Sequence, residues 1–376
     1  MSVDDQTQVT EPLDKELEDL THGAAAVTQV PMWRIRWRLF RRSFARNWAL
    51  FTENKMGLAG LAIIGIFALM AIAHPILMTF VWDPGIYDPV GGYDAVESIV
   101  TIVEEVTDPA TELSLEDARI QLNPFVEVGE EIVTVLQPAP PSFSGEYSHW
   151  LGTDPQGRDV LSQLLFSTRA AFLLGAIAAI TTVVIATTVG SVAAYYGGIT
   201  DSIFMRFADL ILLMPLLPVL FVVGPLFGLT MLNLGLIIGV LNGFGGVAIV
   251  LKSQALAVKV KPYIDAAKVA GGGNGHVIFR HIVPNVLPLS FLYMMFGVTE
   301  AIAIESTLSF FGLLNVRMTW GLMINTAQTQ GFLLSGVNYW WLLFPAGLAV
   351  SILAFAFFIV GRGMDEVINP RLRARG

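Results

Sequence analysis

The run LILLMPLLPVLFVVGPLFGLTMLNLGLIIGVLNGFGGVAIVL, Leu210 to Leu251, contains no Asp, Glu, Lys or Arg. As a single helix rising about 1.5 Å per residue it would be roughly 60 Å long, twice the roughly 30 Å hydrocarbon core of a bilayer. The chain must therefore fold back within the run, and the segment Gly228 to Gly235 is the predicted turn. Two adjacent membrane spans result, and they make the whole chain a membrane protein.

Composition agrees with that reading. Of 376 residues, 54% are hydrophobic and only 14% charged, with a mean hydropathy of +0.63, well outside soluble usage. The absence of cysteine removes disulfide scaffolds and thiolate metal sites. Further apolar runs lie at Met56 to Trp82 (interrupted by His74 and Pro75), Ala170 to Tyr196, Leu287 to Ile304 and Tyr339 to Val360. With the opening pair they predict six spans. No short apolar core with a small-residue cleavage site occurs in the first fifty residues, so the first run is expected to persist in the mature chain.

Orientation follows from the basic residues beside span ends. Arg34, Arg36, Arg38, Arg41, Arg42 and Arg46 precede the first span; Lys252, Lys259, Lys261, Lys268 and Arg280 follow the fourth; Arg362, Arg371, Arg373 and Arg375 follow the sixth. Six spans put all three groups on one side, so both termini are predicted to be cytoplasmic. The formal net charge of -9 comes largely from two acidic stretches, the N-terminal tail and the long segment after the first span. That segment sets Glu104, Glu105, Glu130 and Glu131 against a single Arg119.

The resulting division has residues 1–30 as a disordered acidic tail and 31–54 as a basic interfacial helix with Trp33, Trp37, Phe40, Phe44 and Trp48 on one face. The first transmembrane helix occupies 55–82, an extracytoplasmic insertion lobe 83–150, the core with five further helices 151–361, and a C-terminal tail 362–376. Within the lobe, Ile99 to Val103 and Ile132 to Val135 read as strands. A basic patch can also signal nucleic acid, but a membrane span starts a few residues later, so no nucleic-acid partner is expected.

Two motifs stand out. LGTDPQGRDVLSQLLF, Leu151 to Phe166, supplies Asp154 as a predicted N-cap and Pro155 as a first helical residue, so it reads as an elbow laid along the membrane surface before the second span. In DAAKVAGGGNGHVIFRHIVPN, Asp265 to Asn285, two alanines favour a short helix with a bare surface, and Gly271 can end it in a left-handed conformation. No Gly-Lys-Ser/Thr follows these glycines and no strand precedes them, which argues against a phosphate loop.

Both motifs resemble the permease subunits of the dipeptide, oligopeptide and nickel family of binding-protein-dependent ABC importers. Leu151-Gly152-Thr153-Asp154 with Gly157 to Ser162 is similar to the family's segment before the second span. Asp265, Ala266, Ala267, Gly271 and Pro284 occupy the positions of its cytoplasmic coupling loop, here 253–285, and Phe279 to Asn285, with His281, resembles the peptide-importer ending. Ser309 to Gly312 after Glu305, and Asn369-Pro370-Arg371, concur. The resemblance covers about residues 50–82 and 140–376. The chain departs from it in Asp265, where the family has glutamate, in the glycine-rich run Gly271 to Gly275, and in a larger outer segment.

The resemblance implies an all-α integral membrane protein of the type I importer permease fold, with six transmembrane helices. Its partners would be a second homologous permease, two ATP-binding subunits, an extracytoplasmic substrate-binding protein, a peptide substrate and membrane lipid. This chain would be non-catalytic and bind no cofactor itself, ATP and Mg belonging to the ATPases. Nickel chelates or oligosaccharides are the alternative cargoes. An ion-coupled secondary transporter and a membrane-anchored adaptor are the rival classes.

Glu300 falls inside the fifth predicted span, where an ionised carboxylate facing lipid is costly, about 2.5 to 3.5 kcal/mol for the related aspartate on insertion scales. It is expected to face the bundle interior, either contacting a cationic group in the pathway or sitting hydrated near the outer mouth. Glu305 reads as structural. Pro215, Pro218 and Pro225, with Gly243, Gly245 and Gly246, would loosen helices or let them pack closely. The five histidines are scattered and form no ligand set.

Overall fold

A computed structural model describes residues 37–38, 41, 48–92, 97–100, 133–136, 138–144 and 148–368. The expected acidic tail 1–30, the aromatic positions Trp33, Phe40 and Phe44, the greater part of the insertion and the exit at Asn369 to Arg371 lie outside these residues. The chain divides into two units, 1–53 and 54–376. In the first, residues 48–52 are helical, and the rings of Trp48 and Phe51 stack with centroids 6.0 Å apart.

Among the described residues, the regular structure of the second unit is helical apart from one strand pair. Helix α1 (Lys55–Phe80) is capped by Asn54, whose side chain accepts from the Gly57 N–H at 2.7 Å. A single turn, α2 (Pro84–Tyr87), follows. Strands β1 (Glu97–Val100) and β2 (Val133–Leu136) pair antiparallel, with Glu97 opposite Leu136 and Val100 opposite Val133. Next come α3 (Val160–Tyr196), α4 (Gly198–Leu213), α5 (Leu216–Phe227), α6 (Met231–Phe244), α7 (Gly246–Lys259) and the short α8 (Pro262–Val269). The long α9 (Asn274–Phe310) contains a π turn at Ile278–Ile282. The C-terminal part holds α10 (Trp320–Thr329) and, after a 3₁₀ turn, α11 (Trp340–Ile368).

Among the described residues, four helices are long and apolar enough to cross a membrane. The bent pairs α4–α5 and α6–α7, broken by 82° and 43°, raise that to six if each crosses once. The turn predicted between Gly228 and Gly235 falls at its start: Gly228 caps α5 in the left-handed region and Thr230 caps α6. The bend at Met214–Pro215 goes further than the loosening that Pro215 predicts, breaking the helix outright. Proline at the start of α5 has no N–H to continue α4, and its ring disfavours a helical Met214.

Lipid tails are as apolar as leucine, so helices associate through close packing rather than through escape from water. Glycine spacing supplies that packing here. Gly235, Gly239 and Gly243, one turn apart on α6, lie against Ile177, Thr181 and Ile185 of α3. A Cβ on Gly239 would sit 2.5 Å from Cβ of Thr181 and 2.8 Å from the Ala178 carbonyl, so α6 runs beside α3 in the same direction. Helix α9 runs opposite to α3, with Val298 against Gly175 and Ser290 bonded to Thr187 at 2.7 Å. Helix α11 opposes α9, with Phe296 against Gly361 and Thr299 donating to the Ala354 carbonyl at 3.1 Å. Helix α1 opposes α11, with Gly60 against Ile359 and the Asn54 amide on the Glu366 carboxylate.

The start of α3 corrects the predicted elbow. Val160 to Tyr196 is one helix, and its cap is Asp159, which accepts from the Ser162 N–H at 2.6 Å. Asp154 instead folds the preceding turn, accepting from the N–H groups of Gln156 and Arg158 at 2.8 and 2.9 Å and from the side chains of Arg158 and Gln163. Pro155 is thus a turn residue. Asp159 also pairs with His149 at 2.8 Å, Ser162 donates to the Tyr87 carbonyl, and the Trp341 indole donates to the Thr153 carbonyl at 3.1 Å. Asp154, Asp159, His149, Thr153 and Gln163 are all buried, and partners from α2 and α11 complete the knot. Asp154 followed by Pro155 reads as the cap, whereas Asp159 takes that place with its other carboxylate oxygen held by the buried ring of His149.

Candidate functional site

The segment between α7 and α9 forms a hairpin built around α8. Pro262 begins the helix with its backbone already set for it, Asp265 sits in the first turn and Lys268 in the last, the order that the helix dipole favours. The Asp265–Lys268 pair, 3.1 Å apart and exposed, adds about 0 to 1 kcal/mol. Gly271 ends the helix at φ +84. Its N–H reaches the Lys268 carbonyl at 3.0 Å, and Gly272 reaches that of Ala267 at 2.9 Å, a Schellman closure that needs a residue without Cβ.

The return into α9 is made through the π turn. Val283 donates to the carbonyl of Ile278, five residues back. Pro284 follows, and its ring would press on the carbonyl of Arg280 in a regular helix, a conflict that the wider turn relieves. His281, half-buried, packs its ring on His276 at 5.4 Å.

Helix α8 has one buried residue. Ile264, fully enclosed, enters a cluster shared by Ala186 and Val189 of α3, Leu251 and Ala255 of α7, and Ile282 and Val286 of α9. On the other side, Tyr263, Asp265, Ala266, Val269 and Ala270 are exposed, Val269 to 90%. Three contacts tie the hairpin to the end of α3: the Tyr195 hydroxyl donates to Asn274 at 2.8 Å, the Lys268 ammonium lies 6.0 Å from the Tyr195 ring centre, and Lys259 donates to the Ala194 carbonyl at 3.0 Å. An ion pair between Lys252 and Asp201 links α7 to the start of α4. The result is a small, bare helix offered outward and seated through its one buried side chain among three long helices. Such a shape can receive another protein and pass on its displacement.

Asp265, Ala266, Ala267 and Gly271 thus share one hairpin, with His281 and Pro284 at the foot of α9. Glu300 does not join them. It lies sixteen residues past Pro284 on the same helix, about 24 Å along the axis. Its carboxylate accepts from the Asn242 amide at 2.9 Å and lines two cavities, of about 180 and 480 Å³. Glu305, by contrast, is buried and accepts from the Ser309 hydroxyl at 2.6 Å, a closed structural pairing. Among the described residues no His, Asp and Glu side chains gather as a metal site.

Sequence reading missed Ile264, Tyr195 and Asn242. Ile264 carried a weak signal, as a large aliphatic residue in the first turn after Pro262. Asn242 carried a weaker one, as an amide within an apolar span. Tyr195 carried none, because its partner lies 79 residues away.

Long apolar helices packed side by side, with a small exposed helix between two of them, define a multi-pass membrane protein. A family model described as "Binding-protein-dependent transport system inner membrane component" matches residues 186–374. The chain is 34% identical over 230 residues to the dipeptide transport system permease protein DppC of Bacillus subtilis, covering 60% of this chain and 69% of that protein. It is 32% identical over 240 residues to the oligopeptide transport system permease protein OppC of Haemophilus influenzae, covering 63% and 75%. With the glutathione transport system permease protein GsiD of Pectobacterium atrosepticum the identity is 28% over 229 residues, covering 60% and 74%. The chain belongs to this family: it is a multi-pass permease subunit of an ABC importer, resident in the cytoplasmic membrane. The family's membrane component is not itself the catalyst, and membership implies an ATPase and a substrate-binding protein as partners. The matched range contains the α8 hairpin and Glu300 and leaves out the insertion 83–150.

Proposed function

We propose that this chain is one of two homologous permease subunits of an importer for short peptides, crossing the membrane six times with both termini in the cytoplasm. The alternation of helix directions supports that topology, because the described contacts reverse direction from α1 to α11, α11 to α9 and α9 to α3. The basic residues beside α1, α7 and α11 would then share the cytoplasmic side. The insertion 83–150 is extracytoplasmic in this arrangement, available to the substrate-binding protein, and residues 1–54 and 362–376 are assigned to the cytoplasmic side.

The observation that carries the functional reading is Ile264. It is the one buried residue of the exposed α8, which presents Asp265, Ala266 and Ala267, and it joins a cluster drawn from α3, α7 and α9. Two ATPase subunits each receive one such helix, and ATP binding draws the pair together. The displacement travels through Ile264 and the Tyr195–Asn274 contact into the helices that line the passage. Gly271 and the π turn before Pro284 keep the hairpin's geometry, while His281 braces its return strand of helix. The chain itself makes and breaks no bonds. Peptide is the cargo named for the DppC and OppC relatives, and it is the cargo proposed here.

The test is the double variant Ala266→Arg with Ala267→Glu in the complex reconstituted into vesicles. ATP-driven uptake of a labelled dipeptide should fall at least about tenfold, or about 1.4 kcal/mol, while insertion is retained. Unchanged uptake in a correctly assembled variant would remove α8 from the coupling role.

A further inference from the structure

Two helix breaks meet at one place. The cavity of about 180 Å³ is lined by Met214 and Leu216 from the break between α4 and α5, by Gly245 and Gly246 from the break between α6 and α7, and by Asn242 and Glu300. The larger cavity shares Leu216 and Glu300 with it and continues along Pro215 and Pro218. Irregular backbone at membrane depth persists only where protein buries it or where it lines a water-filled cavity. Both second halves, α5 and α7, also start without a side-chain cap.

We propose that Glu300 and Asn242, held together where the two broken helices converge, form a polar station in the passage that selects the ammonium group of the cargo. The inference rests on the importer reading above and deepens it. Each break brings the C-terminal end of one half-helix and the N-terminal end of the next, so their dipoles largely offset and the Glu300 carboxylate sets the sign of the field. Among the described residues no Lys, Arg or His pairs with Glu300. Asn242 occupies one carboxylate oxygen and orients the group. A carboxylate accepts several donors, so capacity remains for one or two N–H bonds of a primary ammonium such as a peptide N-terminus. Glu305 shows what a merely structural acid looks like on this helix: it is enclosed, and the hydroxyls of Ser306 and Ser309 answer it. Glu300 is exposed and its neighbour is an amide from another helix.

The chain has no cysteine, so one introduced thiol reports on the cavity alone. In the assembled complex, Met214→Cys is treated with a cationic aminoethyl methanethiosulfonate or an anionic sulfonatoethyl methanethiosulfonate, and labelling of this chain is followed by mass. Relative to free cysteine, the cationic reagent should be favoured by about tenfold or more, as an acid in a low-dielectric cleft concentrates cations. Glu300→Gln should remove that preference, Glu300→Asp should keep it, and Asn242→Asp, which adds a second carboxylate, should raise it. A preference indifferent to both Glu300→Gln and Asn242→Asp overturns the proposal, as does a thiol shielded from both reagents. Failure here is distinguishable from failure of the importer reading. An unmodified complex without ATP-driven peptide uptake counts against the proposed function, whereas normal uptake with no cation preference overturns the station alone.

Discussion

At its Val160 end, α3 is held by buried polar groups: Asp154 with Arg158 and Gln163, Asp159 with His149, and the Trp341 indole on Thr153. At its Tyr196 end the same helix is tied by a phenol on an amide, a lysine over a ring and a lysine on a carbonyl, all near the surface. Buried charge-assisted bonds are costly to break singly, because the remaining partner is left unpaired away from water. Contacts near the surface can exchange with water at little cost. The helix is therefore a rod with one fixed end and one adjustable end, and the adjustable end carries α8.

A substitution at the fixed end should break this contrast most severely. Asp154→Ala strands the Arg158 guanidinium and the Gln163 amide, and should cost about 3 to 5 kcal/mol, seen as a large drop in the thermal unfolding temperature of detergent-solubilised protein. An unchanged melting temperature would mean that this end is not fixed. At the adjustable end, Ile264→Ala removes the anchor of α8 at about 2 to 5 kcal/mol of local stability. Dipeptide uptake should collapse while ATP hydrolysis continues, and preserved uptake would show that force takes another route.

Midway along the rod, Gly239→Val drives two methyl groups toward Thr181 and the Ala178 carbonyl, and about 1 to 3 kcal/mol of stability should be lost. Gly347→Ala is the control, with no atom within 4 Å of the added carbon, and its melting temperature should match the parent. Equal losses in both would indicate that the glycine column on α6 does not set helix spacing. The smallest effect belongs to Tyr195→Phe. Losing one partly exposed hydrogen bond is worth about 0.5 to 1 kcal/mol, so uptake per ATP should decline a few-fold with no change in melting. A melting shift as large as that of Asp154→Ala would erase the distinction between the two ends.

Several of these features are legible in the order of residues. The uncharged run from Leu210 to Leu251 announces a fold-back, and Gly228 makes it. The short helix ahead of Gly271 closes with the left-handed glycine that the alanine-to-glycine spacing implies. Other features mislead. Asp154 followed by Pro155 looks like a helix start, yet the helix waits for Asp159. Gly243, Gly245 and Gly246 draw attention as a group, while the packing column is Gly235, Gly239 and Gly243, and Gly245 marks the break. Asn242 acquires meaning only when α9 brings Glu300 beside it, 58 residues further along the chain.

The sequence by itself determined which segments leave water, where the apolar runs must turn, and where a short bare helix is offered between two of them. Those properties come from side-chain transfer energies and turn stereochemistry, which act over a few residues or one helix length. Tertiary structure alone decided which aspartate caps α3, which glycines admit α6, how Ile264 joins three helices, and that Glu300 meets an amide at two broken spans. Each of these depends on groups from separate segments arriving within hydrogen-bond or van der Waals distance, and such distances are set by packing.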